Sequence, residues 1–107
     1  MAWVYLGVAG VLEIVWAYAL KQSAGFSKPF ETTIAVIAMI ASFVVLSLAM
    51  KSLPLGTAYT IWTGIGAIGA FVLGVVMLGE AATPLRVISA LLILAGIVGL
   101  KLASSDG

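Results

Sequence analysis

The sequence predicts an all-α membrane protein with four transmembrane helices. Three observations lead there. Hydrophobic residues make up 64% of the chain and charged residues 8%, against about 45–50% and about 25% in a typical soluble domain. The mean hydropathy is +1.28. Apart from Glu13, the few charges fall between or at the ends of four apolar stretches, in company with Gly, Pro and Ser, and each stretch approaches the roughly 20 residues that a bilayer core requires.

The first span covers residues 2–20 and is closed by Lys21 and the polar run Gln22-Ser23-Ala24-Gly25. No Lys or Arg precedes it, so it lacks the basic region of a secretory signal and reads as a helix of the fold. Lys28-Pro29 opens the second span, residues 30–50. Pro29 suits a first helical turn, and Glu31 lies at the positive end of the helix dipole. Lys51-Ser52-Leu53-Pro54 ends that span, and the third covers residues 56–78 before Gly79-Glu80. Thr83-Pro84 predicts the start of the fourth, with Thr as N-cap and Pro at the first position. It runs from 84 to 101 and leaves a short polar tail. The whole chain, 1–107, reads as one transmembrane domain.

With no cysteine and no histidine, disulfides, thiolate metal sites and imidazole chemistry are excluded. No metal or other cofactor is expected, and a net charge of +1 gives no sign of nucleic acid. A lone membrane-buried acid without those partners is poor equipment for an enzyme.

The loop charges nearly cancel. An even number of spans puts Lys51 and Lys101 on one side of the membrane, and Lys21, Lys28 and Arg86 on the other. Orientation follows an excess of Lys and Arg on one side, and this excess is slight. Two readings stand: one weakly set orientation, or insertion both ways up. Size favours the second for a transporter, because many transporters enclose a midplane site between two inverted repeats. Four helices hold no second repeat, so two oppositely inserted copies, an antiparallel homodimer, would supply it.

Glu13 stands eleven residues into the first span, roughly 16 Å deep at about 1.5 Å per residue. An ionised group at such depth costs about 2.5–3.5 kcal/mol on insertion scales, and intramembrane acids commonly mark ion or substrate paths. No Lys or Arg lies near the middle of any span to neutralise it. The plain alternative is a protonated acid that glues helices together. As a functional group it can hold a proton or a cation in turn, and that mutual exclusion is the core of proton-coupled antiport.

Leu6, Ala9, Gly10, Trp16, Ala17 and Leu20 share its helical face. Small residues there, Gly10 among them, let another helix approach. Ser42 lies at matching depth in the second span and could orient the carboxylate. Tyr59 and Trp62 share a face of the third span. Aromatic faces beside a carboxylate suit a desolvated organic cation, although ordinary packing explains Trp16 and Trp62 equally well. Trp3 and Tyr5 read as interfacial anchors.

Gly64-Ile65-Gly66-Ala67-Ile68-Gly69 is a literal G-x-G-x-x-G, but it lies inside an apolar span with no strand before it. Close helix packing or a hinge suits it better, at Gly64, Gly66 and Gly69. Ala95 and Gly99 form a small-xxx-small pair that could make a dimer contact. Lys101 reads as a snorkelling interfacial cation.

These residues resemble the small multidrug resistance family of bacterial transporters, in its guanidinium-exporter subtype, over essentially the whole chain. The matching stretches are Glu13-Ile-Val-Trp16-Ala17, Leu20-Lys21, Gly25-Phe26, the long run Met50 to Ala67, and Gly96 to Lys101. Met50-Lys-Ser-Leu-Pro-Leu-Gly-Thr-Ala-Tyr59 and Thr60-Ile-Trp62-Thr-Gly64-Ile-Gly66 keep Lys, Pro, Gly, Tyr and Trp together, which chance similarity between apolar helices does not. Thr60 and Glu31 depart from the family pattern.

The resemblance implies a dual-topology antiparallel homodimer in the bacterial inner membrane. It implies exchange of protons for a small cation at paired Glu13 carboxylates, surrounded by Ser42, Tyr59 and Trp62. Trp16 and Lys101 point to the guanidinium subtype, since exporters of bulky quaternary ammonium ions typically carry a small residue at the Trp16 position. Guanidinium offers paired N–H groups that match a carboxylate in a bidentate fork. The alternatives are a polyspecific exporter of quaternary ammonium or aromatic cations, and a helical accessory subunit of a larger membrane complex.

Overall fold

In the computed structural model, which describes residues 1–103, the chain forms four helices joined by short turns. They are α1 (Ala2–Gln22), α2 (Pro29–Ala49), α3 (Leu55–Leu78) and α4 (Pro84–Ala103). All four are long and apolar enough to cross a membrane. Helix α1 continues to Gln22 and α4 to Ala103, because the last turn of a helix can complete its backbone hydrogen bonds beyond the apolar run. The polar tail expected after α4 lies outside the described residues.

The helix ends follow local chemistry. Pro29 and Pro84 each occupy a first helical position, where the missing N–H is no loss. The Arg86 backbone N–H donates to Thr83 Oγ1 at 3.3 Å, the N-cap bond that Thr83-Pro84 predicts. Gly79 ends α3 with φ of 70°, a left-handed conformation that suits a residue without Cβ.

The turn between α1 and α2 is organised by buried Ser23. Its hydroxyl donates to the Leu20 carbonyl at 2.7 Å and accepts from the Phe26 N–H at 3.2 Å. Ser27 and Lys28 both donate backbone N–H groups to its carbonyl. These bonds hold Ala24, Gly25 and Phe26 at positive φ.

The helices stand side by side. Helix α1 packs against both α2 and α3, α2 and α3 touch only sparsely, and α4 packs on α3 alone. The principal extents are 44 × 34 × 16 Å along the Cα trace, so the thin dimension holds about two helix layers at the usual spacing of about 8–10 Å between axes. The core lies where the start of α1, the end of α2 and the start of α3 converge. It comprises Leu6, Ala9, Leu46, Ala49, Leu53, Ala58, Ile61 and Trp62. Three of these are alanines, which fits close packing in lipid, where helices associate through shape rather than escape from water.

Glycines at the α1–α3 seam admit bulky partners from the facing helix. A Cβ at Gly10 would meet Ile65 Cγ2 at 2.6 Å, and one at Gly69 would run into Ile14. Gly64 faces the other way, and a Cβ there would meet Ile97 of α4 at 2.9 Å. The three glycines of G-x-G-x-x-G thus serve packing on two sides of α3, which stays helical through all of them. Gly99 has open space where a Cβ would stand, and Ala95 is exposed, so that pair makes no close contact within the chain.

Candidate functional site

Two successive layers, about one helical turn apart, cross the three packed helices. The first joins α1, α2 and α3 through one hydroxyl. Ser42 is fully buried and donates to the Ala9 carbonyl at 2.7 Å. It accepts in turn from Trp62 Nε1 at 2.9 Å. That pairing satisfies the indole N–H and the hydroxyl proton, two groups that are costly to leave unpaired in a low-dielectric setting.

The Trp62 ring is held on two further sides. Phe43 meets it edge-on at 5.7 Å between centroids, and Tyr59 lies tilted at 5.6 Å. Both arrangements fall within the favourable range for aromatic pairs. Trp62 is 6% exposed, whereas Tyr59 is 52% exposed. Tyr59 also borders a largely apolar groove of about 500 Å3 between α3 and α4, with Thr63, Gly64, Ile93 and Ile97.

The second layer contains Glu13. Ala9 and Glu13 stand four residues apart on α1, and Trp62 and Gly66 four apart on α3, so each pair shares a helix face. The Glu13 carboxyl group lies directly over Gly66, in space that a Cβ would occupy. Among the described residues, its Oε1 is buried without a hydrogen-bond partner. Trp16, one turn further on, likewise has a buried Nε1 without an acceptor. The unpaired acid oxygen at mid-span is open to a ligand carrying donors and positive charge, whereas the indole N–H, itself a donor, calls for an acceptor.

The structure therefore brings Ser42, Tyr59 and Trp62 together and sets Glu13 one layer away, over Gly66. Ser42 differs from the expectation: its proton goes to the Ala9 carbonyl and not to Glu13, because the rotation of α2 against α1 turns the hydroxyl toward the α1 backbone. Gly10 takes part by accommodating Ile65. Lys101 lies elsewhere. Its Nζ sits 4.6 Å from the centroid of the Trp3 ring, ten residues before Glu13 and so about 15 Å along the helix. Sequence reading missed Phe43, Ala9 as an acceptor, and Gly66 as the floor beneath the acid. The four-residue step from Trp62 to Gly66 was a usable signal for the last.

Comparison with known proteins agrees with this architecture. The family model described as Small Multidrug Resistance protein matches residues 1–93. A guanidinium exporter of Yersinia pseudotuberculosis is 58% identical over 104 residues, covering 97% of this chain and 100% of its own. A guanidinium exporter of Escherichia coli strain K12 is 55% identical over 104 residues, covering 97% and 99% respectively. One of Salmonella typhimurium strain LT2 is 54% identical over the same length, again covering 97% and 99%. Four spanning helices, a mid-span acid seated on glycine and these matches along nearly the full chain lead to one conclusion: the protein belongs to the small multidrug resistance family.

Proposed function

We propose that this chain exports guanidinium ion across the bacterial inner membrane in exchange for protons, with proton and cation competing for Glu13. The observation that carries the reading is the mid-span carboxyl group over Gly66, its buried oxygen unpartnered. An acid at that depth without a fixed counter-charge gains from either of two ligands, a proton or a cation, and cannot hold both at full strength. The names of the relatives, all guanidinium exporters at 54–58% identity, support the choice of cation. Guanidinium would engage the carboxylate through its paired N–H groups, with the Trp16, Trp62 and Tyr59 rings close along the same faces.

The test is proton-driven uptake of guanidinium into liposomes that contain only this protein. Uptake is expected to follow an imposed pH gradient. In the range where Glu13 is mostly protonated, apparent affinity falls about tenfold for each pH unit lowered, as displacement of one proton requires. Uptake indifferent to the gradient, or affinity flat across the titration of Glu13, overturns the mechanism.

The working unit in this proposal is an antiparallel homodimer. Within one copy Glu13 is only partly covered, and a second copy of opposite orientation would complete the enclosure. Because Lys and Arg are nearly balanced between the two sides, one or two added lysines near Ser27 or near Ser52 are expected to fix opposite orientations. Each biased variant transports poorly alone, and coexpression restores transport. Full activity from one variant of verified single orientation refutes the antiparallel unit.

A further inference from the structure

Where α1 ends, α3 ends and α4 begins, the three helices line a second, partly open groove whose lining does not include Glu13. Its volume is about 320 Å3, within the range of small-molecule sites, about 300–1,000 Å3. Lys21, Tyr18, Glu80 and Arg86 form the rim, and Ala70 and Phe71 belong to the apolar wall. We propose that this groove holds the headgroup of an anionic phospholipid, with its phosphate against Lys21 and Arg86 and an acyl chain along the α3 wall.

The charge balance favours an anion. Lys21 and Arg86 against Glu80 leave one net positive charge at the rim, matching one phosphodiester. Arg86 is positioned but not used up. It meets Glu80 Oε1 through a single Nη2 contact of 3.5 Å, which leaves most of its five N–H donors free. Its guanidinium carbon lies 5.5 Å from the Phe71 ring centroid, within cation–π reach. Glu80 is itself tucked over Gly74, where a Cβ would meet its carboxyl carbon at 2.8 Å, so the pair that aims Arg86 is anchored to α3.

The wall decides between a lipid and a free anion. Below the charged rim the groove continues along Ala67, Ala70 and Phe71, residues of a spanning helix at hydrocarbon depth. Inorganic phosphate gains nothing from them, whereas an acyl chain does. Basic pockets between transmembrane helices at the membrane surface are a recurring means of holding acidic headgroups.

Native mass spectrometry of the detergent-solubilised protein with defined lipids tests the assignment. Phosphatidylglycerol is expected to be retained in preference to phosphatidylcholine, which carries the same phosphodiester but no net charge. Lys21→Gln and Arg86→Gln are each expected to weaken that retention about fivefold, the effect of one interfacial basic charge. Lys51→Gln, at the opposite membrane end, leaves it unchanged. Ala70→Phe fills the wall at an exposed position without touching charge and is expected to lower retention as well. Glycerophosphoglycerol, the headgroup without chains, does not displace the lipid. Equal retention of the two lipids, equal loss from Lys51→Gln, or displacement by the free headgroup overturns the proposal. Efficient disulfide formation between Ala70→Cys copies, with no lipid retained, gives the groove to a second copy of the chain and also overturns it.

Discussion

Helices α1 and α4 are both able to cross a bilayer, yet they meet the rest of the chain in opposite ways. Helix α1 buries Leu6, Ala9, Gly10 and Ala19 against two neighbours. Helix α4 buries no residue and touches α3 alone, leaving Leu91, Leu92 and Val98 among its outward side chains. The contrast is not one of hydrophobicity, since α4 is the more apolar of the two. What separates them is the placement of small residues. Gly10 of α1 faces α3, and Gly66 and Gly69 of α3 face α1, while Gly96 and Gly99 of α4 have open space where a Cβ would stand. In lipid, where apolarity pulls no two helices together, such notches decide which surfaces join. Helix α4 carries its notches on a surface that this chain leaves uncovered.

Substitutions sharpen this contrast, and the largest effect is expected at Glu13. Glu13→Gln keeps the volume over Gly66 but cannot change charge, so proton-coupled exchange is abolished while cross-linking still detects an assembled oligomer. Wild-type exchange in that variant breaks the assignment of α1 as the working helix.

Gly66→Ala comes next, because its methyl group takes the place of the Glu13 carboxyl group. Overpacking of this kind costs about 1–3 kcal/mol, to be read from unfolding in an SDS titration, with a loss of exchange. Gly96→Ala and Gly99→Ala enter open space and are expected to leave the stability of a single copy within about 0.5 kcal/mol. If they matter, they do so in association between copies, measured by single-molecule subunit counting. A Gly99→Ala chain destabilised as much as Gly66→Ala would dissolve the distinction between the two helices.

Ser42→Ala is the subtler break within the packed region. It leaves the Trp62 indole N–H buried without an acceptor and the Ala9 carbonyl without a side-chain donor. The expected cost is about 1 kcal/mol or somewhat more in the same titration. Ser42→Thr retains the hydroxyl and is expected to recover part of it. No loss in Ser42→Ala would mean that Trp62 finds another acceptor.

Much of the fold was legible because the bilayer imposes length and the breakers are explicit. Pro29, Thr83-Pro84 and Gly79 each announce a helix end through backbone chemistry that needs no tertiary contact. Glu13 was legible for a related reason, as a mid-span acid is conspicuous by its cost. Which face of each helix turns inward was less accessible. Almost every position is apolar, so periodicity marks no inner stripe, and small residues occur on several faces. That is why the partner of Ser42 was misassigned: its depth was readable, but the rotation of α2 about α1, which turns its hydroxyl to the Ala9 carbonyl, was not. The seat of Glu13 on Gly66 depends likewise on the register of α1 against α3, set by Ile14 in the notch at Gly69 and Ile65 in the notch at Gly10.

The partial exposure of Glu13 within one copy makes whatever lies against that face a structural component. A carboxyl group with an open face is not insulated by its own chain alone, so its local dielectric depends on its neighbour there. A single copy offers that face to detergent or lipid, whereas the proposed antiparallel dimer covers it with a second copy. Its proton affinity is therefore expected to vary with the host membrane in a single copy and to lose that sensitivity once the second copy is in place. Titrations of Glu13 in micelles and in bilayers of graded thickness would thus report on assembly as much as on the medium.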